Sequence, residues 1–177
     1  MSPARSASSQ AERAPVSAES GLDGFDYRTD ESVGYLLRDT HRAFSKVLQA
    51  HIAREHVTMG MWYFLRALWE EEGLTQRELS RRIGMMESTT VPALALMERR
   101  GLVRRQRDAK DRRRSCVYLT KRGRALKEIL LPYAKEANLV ALDGVGDADQ
   151  ANLRRILCQV RTNLERRLAG GDEPRED

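Results

Sequence analysis

Basic side chains are concentrated in one stretch of the 177-residue chain. A cluster of lysine and arginine side chains can bind a polyanion. Residues 99–124 contain twelve lysines and arginines against two aspartates, a net charge of +10. The whole chain carries 31 basic and 26 acidic residues, a net charge of +5, so all other residues together carry −5. A basic charge confined to one segment suits the phosphates of a nucleic acid. The alternative is a solvated, charged hairpin.

The residues around this stretch predict two short helices followed by a pair of strands. Thr75 and Glu78 have the spacing of a capping box, which starts a helix. Gly84 can adopt the left-handed conformation that ends a helix, and a second amphipathic helix reaches Gly101. Residues of strand type then bracket the basic turn: Val103, Val117 and Leu119. Helix, turn, helix and a two-stranded β-wing make a winged helix-turn-helix, a DNA-reading module.

Four segments, in this order and spacing, resemble the MarR family (multiple-antibiotic-resistance regulators). They are Leu74 to Gly84, Met97 to Arg105, Asp108 to Arg113 and Leu119 to Gly123, and the similarity extends roughly over residues 32–168. The resemblance implies a mainly α fold, with N- and C-terminal helices forming a dimerisation region beside the winged helix-turn-helix lobe. It also implies double-stranded DNA as a partner.

Carried over position by position, the resemblance assigns DNA contacts to the second motif helix and to the wing. Ser88 and Thr89 stand at the start of the reading helix, and Gln76 is placed for a phosphate contact. Arg113 points to the minor groove from a turn that Asp111 steadies, and narrow minor grooves attract arginine. The other candidates for DNA contact or the wing turn are Val91, Pro92, Arg105, Arg107, Asp108 and Arg112.

The reading helix departs from the family at Val91, Pro92 and Ala95, where polar or basic residues are usual. Val91 or Pro92 can contact a thymine methyl group, but neither can form a bidentate hydrogen bond to a base. Base discrimination is therefore expected to rest on hydroxyls, apolar contacts and the wing. Because proline disrupts a helix beyond its first turn, we also predict that this helix begins at Thr89 or shortly before. Thr89 would then be its N-cap, and the first turn would be distorted.

The rest of the chain predicts one domain at residues 31–168 between two tails. Residues 1–30 are rich in Ser, Ala and Pro and are predicted to be a disordered tail, and residues 169–177 an acidic tail. The predicted parts of the domain are dimerisation helices at 31–56 and 147–168, the winged helix-turn-helix at about 58–120, and a connecting helix at 121–142.

The last predicted helix carries a sustained apolar stripe at steps of three and four residues. The stripe could pack inside the chain, but the resemblance implies a two-fold homodimer, and two copies can read a palindrome. The residues of the stripe are Leu153, Ile156, Leu157, Val160, Leu164 and Leu168.

Two predicted helices place aromatic and basic side chains together. Trp62, Arg66 and Trp69 share one helical face, and Arg38 and His41 share a face of the first helix. Aromatic walls with a cation suit an aromatic carboxylate or its coenzyme A thioester. This interpretation predicts a ligand-responsive repressor. The alternatives are that the tryptophans are core and Arg66 is solvated, or that the protein binds DNA without a ligand.

Other chemistries find less support in the residues. His51, Glu55 and His56 lie close in sequence, but zinc needs about four ligands, and exposed histidines are the preferred interpretation. Cys116 and Cys158 leave a thiol-based redox sensor open, although packing roles are preferred. There is no glycine-rich phosphate loop or nucleophile elbow, so we expect no enzyme, no metal and no cofactor. Without a signal peptide or a run of ~20 apolar residues, the sequence predicts a cytoplasmic protein without a membrane partner.

Overall fold

A computed structural model describes residues 32–107, 111 and 114–170, which form helices and one small antiparallel sheet. Contacts divide the chain after Asp39, so that residues 32–39 begin the first helix and all later described residues form a second unit. The elements are α1 (Val33–Ile52), a short 3-10 turn (Ala53–Glu55), α2 (Met59–Glu70), β1 (Leu74–Thr75), α3 (Gln76–Ile83), α4 (Glu87–Arg99), β2 (Val103–Arg107), β3 (Ser115–Leu119), α5 (Lys121–Ala141) and α6 (Asp147–Ala169).

The helix-turn-helix is α3 and α4, and its local signals act as the sequence predicts. The Thr75 backbone N–H donates to the Glu78 carboxylate at 2.7 Å, and the Glu78 N–H donates to the Thr75 hydroxyl at 3.2 Å. Gly84 ends α3 at φ 67°, and the next N–H, that of Met85, donates back to the Ser80 carbonyl at 2.9 Å. The capping box and the glycine stop are therefore both confirmed.

The reading helix α4 starts earlier than predicted. The N–H groups of Thr89 and Thr90 both donate to the Met86 carbonyl at 3.0 Å, and the Thr90 hydroxyl donates to it at 3.1 Å. Met86 is the N-cap, so the prediction of Thr89 as N-cap is wrong. Pro92 lies inside α4 and denies the Ser88 carbonyl its helical N–H partner. The hydrogen bonds to the Met86 carbonyl close the first turn of α4, which precedes Pro92 and does not depend on the missing hydrogen bond.

The wing strands belong to a sheet of three strands in the order β1-β3-β2. The predicted pair is confirmed, and its register places Arg104 opposite Tyr118 and Arg105 opposite Val117. The additional strand, β1, pairs Leu74 with Val117. With only two residues, β1 is too short to show an alternating pattern, and for this reason the sequence did not reveal it.

Helix α2 supplies much of the core and holds α5 in place. Its apolar residues are buried on more than one side, as its composition predicts. The indole N–H of Trp69 donates to the Gly123 carbonyl at 2.9 Å, which fixes the start of α5 against α2. Just after α2, the Glu72 carboxylate accepts hydrogen bonds from the Leu119 N–H at 3.1 Å and from the Arg124 guanidinium at 2.7 and 2.8 Å. The loop after α2 is thereby tied to both β3 and α5.

Replacing Gly123 with alanine is expected to destabilise the fold by about 1–3 kcal/mol. A Cβ atom at Gly123 would lie 2.1 Å from the Leu102 carbonyl oxygen, which already accepts the Thr120 N–H at 3.0 Å. Equilibrium urea unfolding, read by circular dichroism, should show a lower midpoint.

The matched control is Gly60→Ala inside α2. Its new Cβ atom would come no closer than 3.9 Å to the Thr58 hydroxyl, so no clash arises. Alanine favours a helix over glycine by about 0.5–1 kcal/mol, so the midpoint should stay or rise. Equal midpoints for Gly123→Ala and wild type would contradict the packing described for α5.

Candidate nucleic-acid interface and effector cavity

The outward face of α4 is set by the residues that it buries. Thr90, Leu94 and Met97 point into the core, and the opposite face carries other residues at steps of three and four. These outward residues are Ser88, Pro92, Ala95 and Arg99, with Val91 at their edge. Ser88 and Thr89 are exposed in the first turn, and Gln76 is the first residue of α3. The contacts of these side chains with DNA stay predictions.

The wing presents two arginines on the same side as α4. The N–H of Arg105 donates to the Glu98 carboxylate at 3.1 Å, and its guanidinium lies 3.8 Å from that carboxylate. Because side chains alternate along a strand, Arg107 shares this face. Arg104 lies on the other face, where its guanidinium stands 5.1 Å from the centre of the Tyr118 ring. Arg105 therefore lies beside α4, and Arg107 lies on the same face of β2.

The wing tip is only partly described. Asp111 is exposed, and its carbonyl accepts the Arg114 N–H at 2.9 Å. The predicted roles of Asp108, Arg112 and Arg113 fall on residues outside the described ones.

An ion pair joins α3 to the residue of the wing that precedes β3. The Arg114 guanidinium donates to the Glu78 carboxylate at 2.8 Å. The hydrogen bonds from the Thr75 backbone and hydroxyl, followed by the charge of Arg114, hold the pKa of Glu78 below its ordinary value. Glu78 is therefore ionised at neutral pH and can hold the wing and α3 together. Sequence reasoning missed this pair because its members lie 36 residues apart.

A cavity of about 420 Å³ lies between α1, α2 and α5 within the second unit. The imidazole Nε2 of His41 lies 3.0 Å from the Tyr63 hydroxyl at its wall. The Arg66 guanidinium stands 5.7 Å from the centre of the Trp62 ring and 3.7 Å from the Glu70 carboxylate. Apolar lining comes from Phe44, Leu48, Met59, Trp62, Ala134 and Ala137, and polar lining from His41, Ser45, Tyr63, Arg66 and Asn138.

The structure brings together three of the five side chains predicted to bind a ligand: His41, Trp62 and Arg66. Trp69 packs behind Trp62, with ring centres 5.7 Å apart and planes at 76°, and does not line the cavity. Its indole N–H is already used by Gly123, which explains this placement. Arg38 belongs to the first unit, where its guanidinium lies 4.9 Å from the centre of the Tyr35 ring.

The histidines and cysteines considered as metal ligands or redox sensors are found in the following environments. His51 is partly buried rather than exposed, because its ring stacks on Tyr133 with centres 5.1 Å apart. Within the described residues, no group of three or more His, Cys, Asp and Glu side chains could hold a metal ion. Cys116 is buried in β3, and Cys158 is exposed on α6. None of the helices that the structure describes combines the length and apolarity needed to cross a membrane.

Together, the helix-turn-helix and the basic wing define a winged-helix DNA-binding protein. The family model described as MarR family matches residues 57–115. The chain is 32% identical over 117 residues to the HTH-type transcriptional regulator TtmR of Methylorubrum extorquens, covering 66% of this chain and 60% of that protein. It is 30% identical over 105 residues to the organic hydroperoxide resistance transcriptional regulator of Bacillus subtilis, covering 59% and 71% respectively.

Structural comparison agrees with these matches. A probable transcriptional regulator from Pseudomonas aeruginosa superposes with a TM-score of 0.68 at 30% identity, covering 75% of this chain and 99% of that one. The chain belongs to the MarR family of DNA-binding transcription regulators.

Proposed function

We propose that the protein is a cytoplasmic homodimeric repressor that binds a two-fold-symmetric operator. The observation that carries the DNA-binding part is the contact of Arg105 in the basic wing with Glu98 of α4, which puts the wing directly beside that helix. One helix and one wing make few base contacts, so two copies are needed to read an operator with useful specificity. A protein that covers promoter DNA can exclude the polymerase without any further contact, and repression is therefore the simplest outcome.

The dimer is supported by apolar residues that no other part of the described chain covers. No residue of α6 is buried, although leucine and isoleucine recur along it. Val33, Leu36 and Leu37, at the start of α1, are also exposed. Apolar side chains in contiguous exposed rows mark interaction surfaces, and a second copy supplies a matching surface.

Selection from a random DNA library tests the operator directly. The protein should enrich a two-fold-symmetric sequence whose half-sites lie about 10–10.5 base pairs apart. Transcription in vitro from a promoter carrying that sequence should fall when the protein is added. A library that shows no enrichment would contradict the proposed function.

The effector part of the proposal is supported by the cavity and by its connection to the DNA-binding lobe. Arg66, at the cavity wall, pairs with Glu70 at 3.7 Å, and Glu70 also pairs with Arg82 of α3 at 3.2 Å. Arg82 in addition binds Glu71. An anion that draws Arg66 away from Glu70 therefore alters the ion pairs that hold α3 against α2. Such a ligand changes DNA affinity only by the difference between its affinities for the two arrangements.

The ligand that fits is an aromatic carboxylate or its coenzyme A thioester. Its ring would pack on Trp62 and its anionic or carbonyl end would meet Arg66 or His41, which line one cavity. A second, more polar groove of about 520 Å³ shares Tyr63 and Arg66 with that cavity and is also lined by Arg82, Arg161 and the carboxylate of Glu70. Arg66, Arg82 and Arg161 would suit the phosphates of a coenzyme A thioester. Substituting an arginine of this groove alone can therefore distinguish the thioester from the free acid.

Arg66→Gln is expected to remove the ligand response without removing DNA binding. A 100-fold release of DNA corresponds to about 2.7 kcal/mol, a difference that one charge-assisted hydrogen bond of ~1.5–3 kcal/mol can supply. The selected operator should be titrated with hydroxylated benzoates and cinnamates, and with their coenzyme A thioesters. We expect wild type to release DNA and Arg66→Gln to retain it at the same ligand concentration.

Arg161→Gln provides the matched comparison. It should weaken the response to the thioesters and leave the response to the free acids unchanged. A ligand that releases DNA with equal potency from wild type and Arg66→Gln would place the effector site elsewhere.

A further inference from the structure

The outward face of α4 is apolar along its middle. Between its two ends this face presents Val91, Pro92 and Ala95, none of which can form a conventional hydrogen bond to a base edge. Polar groups stand only at the two ends of the outward face, Ser88 and Thr89 at the start and Arg99 at the finish.

The neighbouring polar groups are already engaged. The hydroxyl of Thr90, which is buried, donates to the Met86 carbonyl at 3.1 Å. The Glu98 carboxylate accepts the Arg105 N–H at 3.1 Å, which holds it at the wing. Pro92 has no backbone N–H to offer. The middle of α4 therefore offers no hydrogen-bonding group to a base, and the large apolar side chain that it exposes is Val91, whose relative exposure is 44%.

We propose that α4 reads its operator by apolar contact between Val91, Pro92 and the 5-methyl groups of thymine in the major groove. The inference rests on the proposed function, since it assumes that α4 lies in that groove. Thymine is the base that presents a methyl group there, and apolar side chains recognise it. The expected half-site contains thymine where the middle of α4 passes, flanked by positions read by Ser88 and Arg99.

Replacing single thymines by deoxyuridine in the selected operator tests this inference. The change removes the methyl group and leaves every base-pairing and groove hydrogen-bonding group in place. We expect affinity to fall about fourfold for each contacted methyl group, which corresponds to the ~0.8 kcal/mol of burying one such carbon. Thymines outside the half-sites should tolerate the same replacement and serve as the control.

Val91→Ala completes a double-mutant cycle. Val91 is partly exposed and alanine is the better helix former, so the variant should fold as wild type does. It should bind the thymine operator more weakly and no longer distinguish thymine from deoxyuridine at the position that Val91 contacts. Arg99→Gln is the matched control, because removing a phosphate or polar interaction should weaken binding to both operators equally.

The outcomes separate this inference from the proposed function. If the library yields no enriched sequence, the proposed function itself fails. If a sequence is enriched but wild type binds its thymine and deoxyuridine forms equally, the methyl inference alone is overturned. Loss of discrimination in Val91→Ala, with discrimination kept in Arg99→Gln, would establish it.

Discussion

Replacing Leu157 of α6 with aspartate is expected to convert the protein to a monomer and to lower operator affinity at least about 100-fold, or ~2.7 kcal/mol. Leu157 is 40% exposed, and it lies in a stripe with Leu153, Val160 and Leu164. Because the described part of the chain buries no residue of α6, the carboxylate costs the folded monomer little. In an interface between copies it would be buried without a partner, at a cost of several kcal/mol.

Gln159→Asp is the control, since it adds the same charge two residues away on the opposite face of α6. Sedimentation equilibrium should show a dimer for wild type and Gln159→Asp and a monomer for Leu157→Asp, with equal helical content by circular dichroism. A Leu157→Asp variant that remains dimeric would contradict the placement of the interface on this stripe.

The parts of the fold that the sequence predicts are those in which cause and effect lie within a few residues. Thr58, Thr75 and Thr120 each accept a hydrogen bond from the backbone N–H three positions later, and each begins a helix. Gly84 ends α3 because it can take a positive φ. Such signals act within one turn, so the order of helices and wing follows from the sequence.

The parts that could not be predicted depend on groups distant in the chain. Glu72 joins Leu119 and Arg124, which lie 47 and 52 residues away, and no local pattern announces these contacts. The same holds for Trp69, which shares a helical face with Trp62 but is drawn towards Gly123 by a hydrogen bond across 54 residues. Helical spacing identifies which side chains share a face. Which of them line a cavity depends on the elements packed against that face.

The beginning of α4 shows two local effects in competition. Pro92 favours a late start of the helix. The Met86 carbonyl accepts three hydrogen bonds, and these favour an early start. The early start is possible because these hydrogen bonds come from Thr89 and Thr90, which precede Pro92, and so do not need the N–H that proline lacks. The consequence for function is that Ser88 and Thr89 occupy the first turn of α4, as the family resemblance implies, while Pro92 lies on its outward face.

Substitution of a wing arginine is expected to have the second large effect on operator binding. Arg107→Ala is expected to weaken operator binding, since the guanidinium shares the face of Arg105 beside α4. Removing one guanidinium from a phosphate should flatten the slope of log K against log[salt] by about one unit, and a dimer carries this arginine twice. Arg104→Ala removes the same charge from the same strand, but on the face occupied by Tyr118.

The salt dependence of operator binding, measured for wild type, Arg107→Ala and Arg104→Ala, tests most directly whether this face binds DNA. We expect a steep slope for wild type, a slope about two units flatter for Arg107→Ala, and a slope close to wild type for Arg104→Ala. Equal slopes and equal affinities for Arg107→Ala and wild type would contradict the assignment of α4 and the wing as the DNA-binding surface.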